Sequence, residues 1–215
     1  MKLFLFSLAF LLLLPFSKIA SAQENNSNTN QFVTIVNPVR ISSYTRDPKA
    51  ALLAQYKQIK IRNLPASWLL TYDVLINPDT RPDILGFDSL QEIGVFLEVT
   101  PKLASSAGVS YSKTDSWHRA NAVFLSGYTE EDRIKLIDII FEEFKKNFGY
   151  YPKSIGGWWV DSFSLDYMKK KYDISANLTV ADQFSTDGYK LWGHYWSTPF
   201  YPKKYHAGVP ARTDE

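Results

Sequence analysis

The chain of 215 residues has no cysteine, two methionines and three histidines. Without cysteine there are no disulfide staples and no thiolate chemistry, so a packed core has to hold the fold. The scarcity of histidine is almost as restrictive. His118, His194 and His206 stand at no metal-ligand spacing from one another. Charge of one sign is also missing: of the 24 basic and 22 acidic residues, the first 22 positions hold two basic and no acidic ones, leaving 22 of each beyond them. A neutral chain has no electrostatic footprint for nucleic acid or for an anionic membrane surface. There is no Gly-rich phosphate loop and no Gly-x-Ser-x-Gly elbow.

Long apolar runs are confined to the start. Lys2 followed by Leu3 to Phe16 and then Ala20-Ser21-Ala22 reads as a signal peptide over 1–22, which predicts a secreted, periplasmic or envelope protein with no stable membrane insertion after cleavage. No later stretch approaches the roughly 20 apolar residues of a spanning helix. Gln23 to Gln31 is polar throughout and reads as a disordered linker, so the domain is expected over 32–215.

Within 32–215 the apolar pattern alternates between strand and helix. Phe32 to Val36 is the first expected strand, ended by Asn37-Pro38; a helix capped by Asp47 and opened by Pro48 carries Leu52, Leu53, Tyr56 and Ile59 on one face. Ser67 to Leu75 follows as a nearly continuous apolar strand, and Ile93 to Val99 as a third, after a turn-rich loop. Thr100-Pro101 opens a short helix, and Trp117, Ala120 and Phe124 suggest a further helical piece. The clearest helix has Thr129 and Asp132 as an approximate capping box, a stripe of Ile134, Ile137, Phe141, Phe144 and Phe148, and Gly149 as its stop. Ser154 to Val160 is a fourth strand, Phe163 to Lys171 a helix and Ala176 to Ala181 a fifth strand, with one more expected around Leu191 to Trp196. The alternation predicts a parallel α/β architecture with right-handed crossovers. Five or six strands do not close a barrel, which leaves two expectations: part of a (β/α) barrel in a longer protein, or an open sheet.

In parallel folds the C-terminal strand ends converge on one rim, where ligands are held. Four carboxylates fall at such ends: Asp73, Glu98, Asp161 and Asp182. Glycoside hydrolysis uses two carboxyl groups, and the pattern nominates Glu98 as nucleophile or base and Asp161 as acid. Trp158, Trp159 and Trp192 are the expected sugar platforms, and Asp73 and Asp182 further substrate contacts. The competing structural reading is that Asp161 or Ser162 caps the following helix and that the other carboxylates cap helices or pair with Arg40, Arg119 or lysines.

Several segments resemble the glycoside hydrolase/deacetylase superfamily, the (β/α) barrel shared by polysaccharide deacetylases and related glycosidases. Asn63-Leu64-Pro65-Ala66-Ser67-Trp68 is similar to the approach to the second strand in deacetylases, and Gln91-Glu92-Ile93-Gly94-Val95 to their third strand. Gly149-Tyr150-Tyr151-Pro152-Lys153-Ser154, with Ser164 to Met168 and Tyr172-Asp173-Ile174, looks like the arginine-proline segment and its helix. The resemblance runs from Phe32 to Gln183. It implies a deacetylase-type barrel and a carbohydrate partner, an oligo- or polysaccharide.

The departures are as informative. Asn37-Pro38-Val39-Arg40 stands where such deacetylases carry an Asp pair, and Phe96 and Glu98 where they carry metal-binding histidines. The expectation is therefore a metal-independent glycan hydrolase with no cofactor. The alternatives are an inactive barrel that binds glycan or a protein partner, and a deacetylase with a rearranged metal site.

Overall fold

The computed structural model describes residues 34–42, 47–113, 119–179 and 199–212. Five strands, β1 (Val36–Val39), β2 (Ala66–Leu70), β3 (Gln91–Phe96), β4 (Ser154–Gly157) and β5 (Ala176–Thr179), form one sheet in the order β1-β2-β3-β4-β5. All four pairings are parallel. Each connection steps one strand over in the same direction; with right-handed crossovers, that puts the helices on one face, the singly wound course of a barrel.

Phe32 and Val33 of the first expected strand lie outside the described residues; β1 starts at Val36 and includes Pro38, paired in register with Leu69. A proline is tolerated there because, among the described residues, β1 pairs with β2 alone, and the missing N–H faces away from it. The second strand is shorter than expected. After Thr71 the chain turns into a helix, α2 (Tyr72–Leu75), whose Val74 and Leu75 are buried. The continuous apolar run thus belongs to two elements, both in the core. Helix α1 (Pro48–Lys60) starts as expected, with Asp47 accepting a 2.8 Å bond from the Ala50 amide. A short α3 (Arg81–Leu85) interrupts the loop before β3, and α4 (Pro101–Ser106) is capped by Thr100. The helical piece before the long helix is α5 (Ala120–Val123), followed by a single 3-10 turn at Leu125–Gly127.

Helix α6 (Glu130–Phe148) forms the centre of the core, with Leu136, Ile137, Ile140, Phe141 and Phe144 fully buried. Its buried face is turned slightly from the expected stripe, so Ile134 and Phe148 are only partly covered. Gly149, at φ 82°, supplies the left-handed stop that a side chain would resist. Opposite α6 lie Trp68, Leu70, Ile93, Val95 and Ile155, the helix-facing side chains of the sheet. Burying each such side chain is worth about 1.5–3 kcal/mol. The Trp68 indole is completely buried and donates to Gln91 Oε1 at 3.0 Å, which satisfies its one polar atom.

Helix α7 (Ser162–Tyr172) is fastened to α6 through Asp138, whose carboxylate accepts from Tyr172 at 2.6 Å, Tyr167 at 2.7 Å and Lys171 at 2.8 Å. Burial pushes the Asp138 carboxyl up, but the bonds from Lys171, Tyr172 and Tyr167 outweigh it and hold the group below the usual range. An antiparallel pair, β6 (Pro202–Lys203) and β7 (His206–Pro210), follows. The strand expected around Leu191 to Trp196 lies outside the described residues.

The other face of the sheet shows how the barrel curls. Leu69 of β2 lies so close to both β3 and β4 that a Cβ added at Gly94 would meet its Cδ2 at 2.7 Å, and one at Gly156 its Cδ1 at 2.6 Å. In a flat sheet β2 and β4 are about 9.6 Å apart, twice the strand spacing. One leucine reaches both because the sheet bends toward it. The glycines make room on the concave side, so the described strands form part of a (β/α) barrel.

Candidate functional site at the C-terminal rim

The chain leaves β1 at Arg40, β2 at Thr71, β3 at Leu97-Glu98 and β4 at Trp158. Parallel strands bring these exits to the same rim. Glu98 is 8% exposed, far less than a solvated carboxylate would be. Its partners come from the two flanking directions. Trp158 Nε1 donates to Oε2 at 2.8 Å, and Arg40 donates from Nη2 to Oε1 at 3.0 Å. Arg40 Nε also lies 2.6 Å from Oε2, an ion-pair contact off the line of a hydrogen bond. The guanidinium carbon sits 4.7 Å from the centre of the Trp158 ring, so the cation faces the indole as well as the carboxylate.

Aromatic packing holds this group. Phe96 meets Trp158 nearly perpendicularly at 5.2 Å between centroids, and Ala122, Val123 and Phe124 pack behind both Trp158 and Trp159. The amide of Val99 donates to the Val123 carbonyl at 3.0 Å, which ties α5 to the strand exit. Tyr111 borders the same cluster; burial first, then Tyr128 and Glu98, push its phenol above the ordinary value.

Asp161 has different surroundings. It is the N-cap of α7: Oδ1 accepts from the Ser164 amide at 3.0 Å and Oδ2 from the Ser164 hydroxyl at 2.8 Å. Arg133 of α6 adds a 3.1 Å bond to Oδ1. The capping alternative therefore describes its contacts, with Arg133, not Arg119, as the ion partner. Asp73 lies in the first turn of α2, past the strand end, and accepts from the Thr100 hydroxyl with Lys102 3.7 Å away. It links the starts of α2 and α4. Trp159 meets His206 of β7 edge-on at 5.9 Å, away from Glu98's hydrogen bonds. Asp182 and Trp192 lie outside the described residues.

The structure thus brings together Glu98 and Trp158 and adds Arg40, which the sequence shows only as a possible ion partner. The available signal was positional: Arg40 leaves β1 at the rim where Glu98 leaves β3. Among the described residues no group of three His, Cys, Asp or Glu side chains is arranged to hold a metal ion.

With the sheet order and the rim established, the comparison with solved structures identifies the architecture. A candidate glycoside hydrolase/deacetylase from Parabacteroides distasonis superposes over 83% of this chain at TM-score 0.51 and 17% identity. The chain shares that protein's fold. It spans 41% of the length of that Parabacteroides chain. The peptidoglycan deacetylase PdaC of Bacillus subtilis is a more distant match, at TM-score 0.43 and 16% identity over 71% of this chain and 61% of its own. No family model and no curated protein matches the sequence. At this identity the similarity establishes the fold alone and leaves the activity to be argued from the rim.

Proposed function

We propose that this domain is an exported carbohydrate-binding barrel that holds an oligo- or polysaccharide at its C-terminal rim. Trp158 is the sugar platform and Glu98 its polar contact, with Arg40 paired to both. The observation that carries the reading is the group itself: an indole, a carboxylate and a guanidinium from three strand exits, meeting within 2.6–4.7 Å. The apolar C–H face of a pyranose suits the indole, and its hydroxyls suit the carboxylate. Export rests on the signal-like segment over 1–22; among the described residues no helix is long and apolar enough to cross a membrane.

Hydrolysis is the second reading, with Glu98 as nucleophile or base and Asp161 as acid. Both follow strands, as a glycosidase pair would. Binding ranks first because both oxygens of Asp161 already accept from Ser164, and one also from Arg133. Donation to a glycosidic oxygen would first require breaking that cap.

The deciding experiment titrates the protein with chitotetraose and cellotetraose by calorimetry and follows product release by chromatography. The binding reading expects saturable association, weakened at least tenfold by Trp158→Ala, with no products. Products lost in Glu98→Gln would establish the hydrolase instead. Neither association nor turnover with these sugars or with insoluble chitin, cellulose and peptidoglycan would refute both readings.

A further inference from the structure

We propose that Arg40 is a displaceable cover over the rim site, and that the Thr71 hydroxyl beside it is a ligand contact uncovered when Arg40 moves. The inference rests on the carbohydrate reading above and assigns the site a specificity residue that contacts a sugar hydroxyl.

Arg40 occupies the surfaces a sugar would use. Its guanidinium faces the Trp158 ring at 4.7 Å and binds both oxygens of Glu98, at 2.6 and 3.0 Å. A pyranose stacking on the same indole face and bonding to the same carboxylate would compete with it atom for atom. Glu98 and Trp158 would keep their mutual 2.8 Å bond after Arg40 left, so the platform does not depend on the cover.

Thr71 supplies an independent observation. It is 2% exposed, and its Oγ1 makes no hydrogen bond. It is also the N-cap of α2, where a threonine hydroxyl ordinarily accepts from the first-turn amides, yet that bond is not made. A buried hydroxyl that neither caps its helix nor finds another partner is costly, and such a group calls for an explanation. The register supplies one. Val39 pairs with Leu70, and the Thr71 amide donates to the Val39 carbonyl at 3.1 Å, so Thr71 and Arg40 are the next positions on adjacent strands. Side chains alternate along a strand, and Leu69 lies on the concave face. Thr71 and Arg40 therefore share that face with Leu69, side by side. Moving the arginine opens the space next to an unsatisfied hydroxyl, which can then donate to or accept from a sugar hydroxyl.

Acrylamide quenching of Trp158, taken as the difference between each protein and its Trp158→Phe counterpart, tests the cover without any ligand. Arg40→Ala is expected to raise the Trp158 quenching constant at least twofold; no change would overturn the cover. Chitotetraose titration tests the contact. Arg40→Ala is expected to tighten binding several-fold, and Thr71→Val added to it to reverse the gain by about fivefold or more. Weaker binding in Arg40→Ala would overturn the cover by making Arg40 a direct contact, and unchanged affinity on adding Thr71→Val would overturn the role of Thr71. Should Arg40→Ala unfold by circular dichroism because Glu98 loses its countercharge, Arg40→Ala/Glu98→Gln removes both charges and gives the same quenching test. Increased quenching with no sugar bound by any form would sustain the cover and refute the carbohydrate reading itself.

Discussion

Asp161 is where the helix cap and the general-acid role of the second reading make opposite demands, and three substitutions separate them. Asp161→Ala removes the α7 cap, which is worth about 1 kcal/mol and ranges over about 0.5–2. It also removes the ion pair with Arg133, whose two side chains are 17% and 15% exposed. That loss is limited to about 1 kcal/mol, well short of the cost of an orphaned buried charge, because Arg133 keeps the Tyr128 carbonyl at 2.8 Å and the Ser126 carbonyl at 3.4 Å. The total for alanine is about 2 kcal/mol and ranges over about 1.5–3. Asp161→Asn keeps a side-chain oxygen that caps as well as aspartate does and loses only the charge, so it should cost about 1 kcal/mol. Asp161→Ser should lie near asparagine. Urea unfolding followed by circular dichroism measures all three, and a single domain loses these amounts from a total of about 5–15 kcal/mol. Alanine costing under about 0.5 kcal/mol, or asparagine costing as much as alanine, would refute the cap argument. A general acid at this position predicts a different pattern, with turnover abolished in Asp161→Asn despite a nearly native unfolding midpoint.

Gly94→Ala should destabilise by about 3 kcal/mol or more, because the new methyl would sit 2.5 Å from Ser154 Oγ and 2.7 Å from Leu69 Cδ2, and closer still to the Ser154 carbonyl, which strand pairing holds in place; a urea midpoint within error of wild type would contradict the curled-sheet geometry. Gln91→Leu leaves the buried Trp68 N–H without its acceptor and should cost about 1–3 kcal/mol by the same assay. The Asp138 carboxyl is held below its ordinary value, so its contribution is complete above the unfolded-state pKa of about 3.9 and is lost as pH falls through the native value. Asp138→Asn should therefore show a shallower loss of stability between neutral pH and acid than wild type, and an unchanged slope would remove Asp138 from the acid transition. At the alkaline end the sign is reversed. Burial, then Asp138, pushes the Tyr172 phenol far up, so the unfolded chain loses its proton first and stability should fall above about pH 10, less steeply in Tyr172→Phe.

The elements whose ends carry specific chemistry were legible in the sequence. Asp47-Pro48, Thr100-Pro101, Thr129 and Gly149 mark helix limits within a residue of where the structure has them, because capping geometry depends on the residue itself. Apolar runs were less reliable. Ser67 to Leu75 reads as one strand but is split at Thr71 into β2 and α2, since both halves are buried and burial alone carries no period. The apolar run from Ser154 to Val160 misleads in the same way, because β4 stops at Gly157 and leaves Trp158 and Trp159 beyond it.

The site was legible in position more than in role. A residue at a strand exit is brought to the rim by topology, which is why Glu98 and Trp158 could be named from the sequence and meet at 2.8 Å. Which partner each one takes depends on neighbours from other strands, and local sequence does not hold that information. Arg40 and Arg133 are 58 and 28 residues from the carboxylates they bind. Those two arginines give the carboxylates different opportunities. Arg133 joins a carboxylate already committed to a helix start, so that corner is fixed by two independent structural demands. Arg40 joins a carboxylate whose other bond is to an indole, and it lies beside a threonine hydroxyl that nothing satisfies. A ligand that replaces the guanidinium can keep Glu98 paired, cover the indole and satisfy Thr71 together, whereas no ligand can displace Arg133 without also exposing a bond that holds α7 in place. Exchange of partners is therefore favoured at the Glu98 corner, and that is where binding should be sought.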